Sequence, residues 1–399
     1  MFSELAEHAS YLRDSTKVDA YSEALKLVLR PGGTVLDLGS GTGLLGLLAA
    51  RAGARRVYCV DSGAIIGVVE ELARLNGFED VIVPIRALSK NVCLPEPVDI
   101  IVGDQLGGMA FEAGVFDYYS DAAQRLLAPT GVTIPGQITL NLAPVECAEY
   151  WADEHDVWSL KPSELDFTRL RQYSANTVRS VWFAQDALLG SSVALATINA
   201  TDARDFTLRG TLDISRQGTL HGLLGTFRAQ MARGVHMTND PSDSHPMRHR
   251  WQSLLPIEQS VAVSPGDIVE VVMRASPTRY NVSWRGRVLR GSSTLATFRQ
   301  ASFLGEFAPQ GSVERARQAM RPQVAPARAE LSARCVALAD GSRSVDEICE
   351  ELTDLAATTG LKADELRRFI TETLRLCTVN MNGIVQKFER DPAVGGTAC

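Results

Sequence analysis

Apolar and polar residues follow two different rhythms along this chain. Over residues 18–30 the apolar positions Val18, Tyr21, Ala24, Leu25 and Val28 return every three or four residues, which is one face of a helix. Pro31, Gly32 and Gly33 end it. Short apolar, β-branched runs then take over: VLDLG at 35–39, RVYCVD at 56–61, VIVPIR at 81–86 and VDIIVGD at 98–104. Runs of this kind belong to strands covered on both faces, and a helix at 64–76 separates the second from the third. Strand alternating with helix predicts a parallel, doubly wound α/β sheet over residues 1–134.

Beyond Pro135 the rhythm changes. VALATINA at 193–200, FTLRGTLDIS at 206–215 and DIVEVVMRA at 267–275 are β-rich and separated by turn residues, predicting an antiparallel, barrel-like β domain over 135–308. Residues 309–330, with Pro309, Gly311, Pro322 and Pro326, are expected to be a linker. A third, helical unit follows at 331–399. Ser344 and Glu347 have the spacing of a capping box, and Leu366, Phe369, Ile370, Thr373, Leu374 and Cys377 share one helical face. Asn382-Gly383 suggests a hairpin, so the unit reads as a small winged helix.

Composition narrows the function. A chain of 399 residues, 45% hydrophobic, has material for two or three domains. Its net charge of −7 argues against nucleic acid and leaves room for a cationic substrate. Seven scattered cysteines without a Cys-x-x-Cys pair predict reduced thiols, no disulfide framework and no metal site. The acid-bearing first residues do not form a signal peptide, and no apolar run reaches the roughly 18 residues of a membrane span. A cytoplasmic protein is expected.

The chemistry concentrates at the strand ends. Gly39, Gly41 and Gly43, with Asp37, Ser40 and Thr42 among them, lie where a strand turns into a helix and backbone must approach a ligand. A nicotinamide fingerprint would want glycine at position 44, where Leu44 stands. Asp61, followed by Ser62, ends the next strand in position to accept from ribose hydroxyls. This combination resembles the class I S-adenosylmethionine (SAM)-dependent methyltransferases. The segment VDIIVGDQLGGMAFE then places two acids, Asp104 and Glu112, just past a strand end.

The segment HASYLRDSTK, residues 8–17, resembles the N-terminal pattern of the protein arginine methyltransferases. His8 and Asp14 match it, while Tyr11 and Lys17 replace a methionine and an arginine. With the glycine turn, the two acids and HRWQ at 249–252, the resemblance covers about 1–308. It implies SAM as cofactor, with His8, Lys17 and the backbone at Leu88 joining the glycine turn, Asp61 and Ser62 in its site. It also implies that Asp104 and Glu112 grip a cationic acceptor and that His249 belongs to the active site. An arm near 150–172, with Tyr150, Trp151, Val157, Trp158 and Leu160, would make a homodimer. The chain also departs from the pattern. Asp104 is shorter than the usual glutamate, Gly108 and Ala110 replace bulkier residues, and Lys90 replaces an acid. Arg248-His249-Arg250 stands for Thr-His-Trp.

Residues 331–386 resemble the helical part of PqqD-like domains, which recognise leader peptides of ribosomally made natural products. The acidic residues Asp346, Glu347, Glu350, Glu351, Asp354, Asp364 and Glu365 argue against DNA. The expected activity is therefore N-methylation of a peptidyl amine or an arginine side chain, on a precursor peptide. Free L-arginine or a small amine as acceptor, and a non-catalytic SAM-binding regulator, are the alternatives.

Overall fold

The computed structural model describes residues 4–305, position 280 excepted, and 330–377 with short gaps at 333, 336–337, 339–342 and 358. The expected linker and the Asn382-Gly383 hairpin lie outside the described residues.

Two helices open the chain, α1 (Glu4–Arg13) and α2 (Ser15–Val28). Five parallel strands follow: β1 (Thr34–Leu38), β2 (Arg56–Asp61), β3 (Ile82–Arg86), β4 (Val98–Gly103) and β5 (Leu127–Ile134). Helices α3 (Leu44–Arg51), α4 (Val69–Leu75) and α5 (Val115–Leu126) connect them. The order across the sheet is β3-β2-β1-β4-β5. Chain direction reverses its progress between β1 and β4, so a ligand crevice opens at the carboxyl ends of those two strands. Every residue of β1 is buried, as a strand covered on both faces requires. The helix expected at 64–76 begins as a 3₁₀ turn over Ala64–Val68 and becomes α-helical only at Val69. Gly67, two residues before Val69, is a poor helix former.

From β6 (Gln137–Val145) the chain is antiparallel, as the change of rhythm predicts. After β6 come α6 (Ala148–Glu154), α7 (Arg171–Ala175), β7 (Arg179–Val181), β8 (Val193–Asn199), β9 (Phe206–Asp213), β10 (Gly218–Ala232) and β11 (Val235–Thr238). β12 (Gln252–Val263), β13 (Ile268–Ser276), β14 (Asn281–Arg290) and β15 (Ser293–Ala301) complete the domain. They form one sheet in the order β7-β12-β10-β6-β8, with β11 on β10, and a second in the order β15-β14-β13-β9. One continuous apolar core joins this domain to the first; Phe111, Phe116 and Phe206 meet in it with ring centroids 5.4–6.1 Å apart.

In the region expected to be a dimer arm, Trp151 folds back and is buried against His155 and His221 of its own domain. Tyr150 packs on Phe183. Leu160, Leu165 and Phe167 are exposed. In the C-terminal unit, α8 (Val345–Ala357) and α9 (Ala363–Cys377) share a small core around Ile348, Leu352, Leu366 and Ile370. The expected capping box is present: Glu347 accepts from the Ser344 amide at 2.7 Å, and Ser344 Oγ accepts from the Glu347 amide at 3.3 Å. Glu347 also pairs with Arg274 on β13 at 2.5 Å. Those contacts hold its carboxyl down at about 2.

Candidate active site

The floor of the crevice is the turn after β1. Gly39 and Gly41 have φ of +69° and +54°, and a Cβ on either would overlap a neighbour, Gln105 over Gly39 and His8 over Gly41. Only glycine accommodates both the dihedral and the approach. Asp37 braces the turn from below. It is fully buried and accepts from Ser40 Oγ at 2.6 Å and from the Gly46 amide at 2.8 Å. Burial pushes its carboxyl up to about 6 against those two hydrogen bonds. Asp61 braces it from the side, accepting from the Gly41 amide at 2.9 Å and the Gly63 amide at 2.7 Å. Each Asp61 oxygen keeps a second lone pair for a ligand hydroxyl. Thr42 is half-buried and Ser62 exposed beside this turn. Leu88 is exposed, and its carbonyl is already taken by the Asn91 amide at 2.9 Å, which leaves its amide as the group to offer.

The N-terminal helices cover the same crevice. His8, on α1, lies over Gly41 and edge-on to Tyr11, with centroids 5.7 Å apart. Asp14 caps α2 by accepting from the Lys17 amide at 3.3 Å, and its other oxygen accepts from the His249 amide at 2.9 Å. That single carboxylate therefore fixes two cations. Lys17 lies in the first turn of α2, and Arg250 follows His249. Both converge on Asp104 just beyond β4. Lys17 Nζ donates to Asp104 Oδ2 at 2.9 Å, and Arg250 Nη2 pairs with the same oxygen. Tyr21 donates to the Gly103 carbonyl at 2.7 Å and reaches Asp104 Oδ1 at 3.4 Å. Lys17 Nζ stands 3.8 Å from the centre of the Tyr11 ring, and Arg250 Cζ 5.8 Å from it. Burial alone would raise the Asp104 carboxyl, but the charges of Arg250 and Lys17 outweigh it and hold it below the usual range.

Glu112 closes the other side of the loop. It accepts from the Met109 amide at 3.1 Å and from the hydroxyl of Ser253 on β12. Burial pushes its carboxyl above the usual range against those hydrogen bonds. Asn239 ties the pieces together, donating to the Gly108 and Trp251 carbonyls, each at 2.6 Å. Asp104 and Glu112 thus lie on one loop, as the sequence predicts, in environments that push their carboxyls in opposite directions. His249 joins the site through its main chain, with its ring half-buried.

Sequence reasoning passed over Arg250, Tyr21, Ser253 and Asn239. Of these, Arg250 carried a signal, because a charged residue stands where the family pattern has tryptophan. A separate groove of about 900 Å³ lies on the four-stranded sheet, lined in part by Arg209, Arg285 and Glu270, and holds none of the predicted site residues.

A family model described as ribosomal protein L11 methyltransferase matches residues 20–135. Protein arginine N-methyltransferase 1 of Chlamydomonas reinhardtii is 26% identical over 288 residues, covering 70% of this chain and 83% of that protein. Protein arginine N-methyltransferase 1.1 of Arabidopsis thaliana is 25% identical over 289 residues, 70% of this chain and 74% of its own length. The chain is a class I SAM-dependent N-methyltransferase, homologous to the protein arginine N-methyltransferases.

Solved structures agree on the fold of this methyltransferase. A Trypanosoma brucei structure, described as a protein arginine methyltransferase 1 enzyme–prozyme heterotetrameric complex with AdoHcy, has a TM-score of 0.66 at 21% identity. It covers 74% of this chain and 96% of its own. Arabidopsis thaliana protein arginine methyltransferase 10 has a TM-score of 0.61 at 20% identity, covering 74% and 97%. The cofactor is SAM, and the crevice suits it. The glycine turn gives close backbone approach, Asp61 can accept from a ribose, and Lys17 can face a carboxylate. Among the described residues, Asp37 Oδ1 and Gln105 Oε1 are buried there without a hydrogen-bond partner. No described helix is long and apolar enough to cross a membrane.

Proposed function

We propose that this methyltransferase places a methyl group on a nitrogen of a peptide substrate, held at the loop that carries Asp104 and Glu112. The observation that carries the reading is the contrast between the two acids. Asp104 is held ionised by its cations, whereas burial raises the proton affinity of Glu112. One carboxylate suits orientation and the other suits taking up a proton. SAM supplies an electrophilic sulfonium methyl. Glu112 would take up the proton that the acceptor nitrogen sheds when that methyl is transferred. His8, Lys17, Asp37, Gly39, Ser40, Gly41, Thr42, Gly43, Asp61, Ser62 and Leu88 make the cofactor side of the site in this reading, and His249 completes the acceptor side.

The acceptor is a peptidyl amine or an arginine side chain on a ribosomally made precursor, and residues 331–399 recognise that peptide. Attachment of α8 to the β domain through Glu347 and Arg274 supports a recognition unit held near the catalytic domains. Exposure of Leu160, Leu165 and Phe167 supports a homodimer. The test is turnover on the precursor peptide. Glu112→Gln should lower it by roughly 10²-fold or more, the scale of a lost general base, with S-adenosylhomocysteine binding retained, and Asp104→Asn should lower it as well. Near-normal turnover in both variants would place the acceptor elsewhere.

A further inference from the structure

We propose that Arg250 is a built-in guanidinium that keeps arginine side chains out of the acceptor site, so that the nitrogen methylated is that of an amine. This rests on the placement of the acceptor at Asp104 and Glu112. Arg250 is buried, its Nη2 is seated on Asp104 Oδ2, and Tyr11 lies beside its guanidinium carbon at 5.8 Å. Carboxylate and flat aromatic face are the two partners a substrate guanidinium would seek, and both are engaged by the chain itself. Lys17 takes the same Asp104 oxygen.

Charge leads to the same conclusion. Lys17 and Arg250 both sit on Asp104, so the charge of that carboxylate is already met by the chain's own cations. A further guanidinium, which stays charged in proteins, would enter beside two like charges. An amine differs, because its pKa falls readily on burial and it can enter as the neutral nucleophile. The loop is also narrow: Gly108 lies so close to β12 that a Cβ there would overlap Ser253, the residue that binds Glu112.

The test uses the full chain loaded with S-adenosylhomocysteine and two probes of similar size, ethylguanidinium and ethylammonium, titrated by calorimetry at millimolar concentration. Arg250→Met keeps the buried stem and removes the charged head, and Arg250→Ala empties the place further. Retained S-adenosylhomocysteine binding identifies which variant is folded. Expected is at least a tenfold gain in ethylguanidinium affinity over the wild type, with ethylammonium changing less than threefold. Equal ethylguanidinium binding by wild type and folded variant, or none by the variant, overturns the proposal. So does methylation of an arginine-bearing peptide by the wild type as fast as of its lysine counterpart. Absence of methyl transfer to any amine, together with the expected ethylguanidinium gain, would instead remove the acceptor reading and leave the guanidinium site standing.

Discussion

Asp104→Asn should destabilise the protein more than any other isosteric change at the site. Two cations whose side chains are only 4% and 8% exposed share one oxygen of a carboxylate that is 16% exposed. At the 2.9 Å of the Lys17 contact and an effective dielectric near 20, the attraction is about 6 kcal/mol before desolvation is set against it. Asparagine keeps the shape and removes the charge, leaving two buried like charges facing each other. Breaking a buried pair from one side costs about 3–5 kcal/mol, and that is the loss expected here. Urea unfolding followed by tryptophan fluorescence measures it. The double variant Asp104→Asn/Arg250→Met removes one anion and one cation together and should recover more than half of the loss. The carboxyl is held below its ordinary value of 3.8, so this stabilisation is present above that pH. It disappears as pH falls through the lowered folded value, where wild type and single variant should converge. A loss under about 1 kcal/mol at neutral pH, or no recovery in the double variant, would mean that water screens these charges and the reasoning fails.

Three further expectations concern other parts of the chain. Gly41→Val and Asp61→Ala should each abolish S-adenosylhomocysteine binding by calorimetry, since the first drives a side chain into His8 and the second removes the acceptor of the Gly41 amide. Asp37, raised from 3.8 to about 6, gains a proton more easily when folded. The stability of the wild type relative to Asp37→Asn should therefore fall by about 3 kcal/mol as pH rises from below 4 to above 6, read from paired urea titrations. A chain ending at Gly305 should bind SAM normally and methylate a full-length precursor peptide poorly; equal rates would leave α8 and α9 a structural part only.

The parallel α/β sheet and the crevice were legible because β1, β2 and β4 are short, largely buried apolar runs, and glycines with positive φ mark their own turn. The capping box at Ser344 was equally legible, since both partners lie within one helical turn. What sequence reasoning missed lies across large separations. Arg250 meets Asp104 over 146 residues, Ser253 meets Glu112 over 141, and Asn239 meets Gly108 over 131. Nothing local to those residues records the partner. The fate of Trp151 is of the same kind, because an aromatic on a short helix reads alike whether it meets a second copy or its own His221.

The shared duty of Asp14 also bears on how the two binding steps influence each other. Through its two oxygens, the entry of α2 and the loop before β12 are fastened to each other. The helix preceding that junction carries His8 over the glycine turn, and the helix following it carries Lys17 to Asp104. Whatever steadies these helices over the cofactor therefore steadies the acceptor loop as well, and the coupling is reciprocal by thermodynamic necessity. Cofactor and acceptor should therefore each bind more tightly when the other is in place.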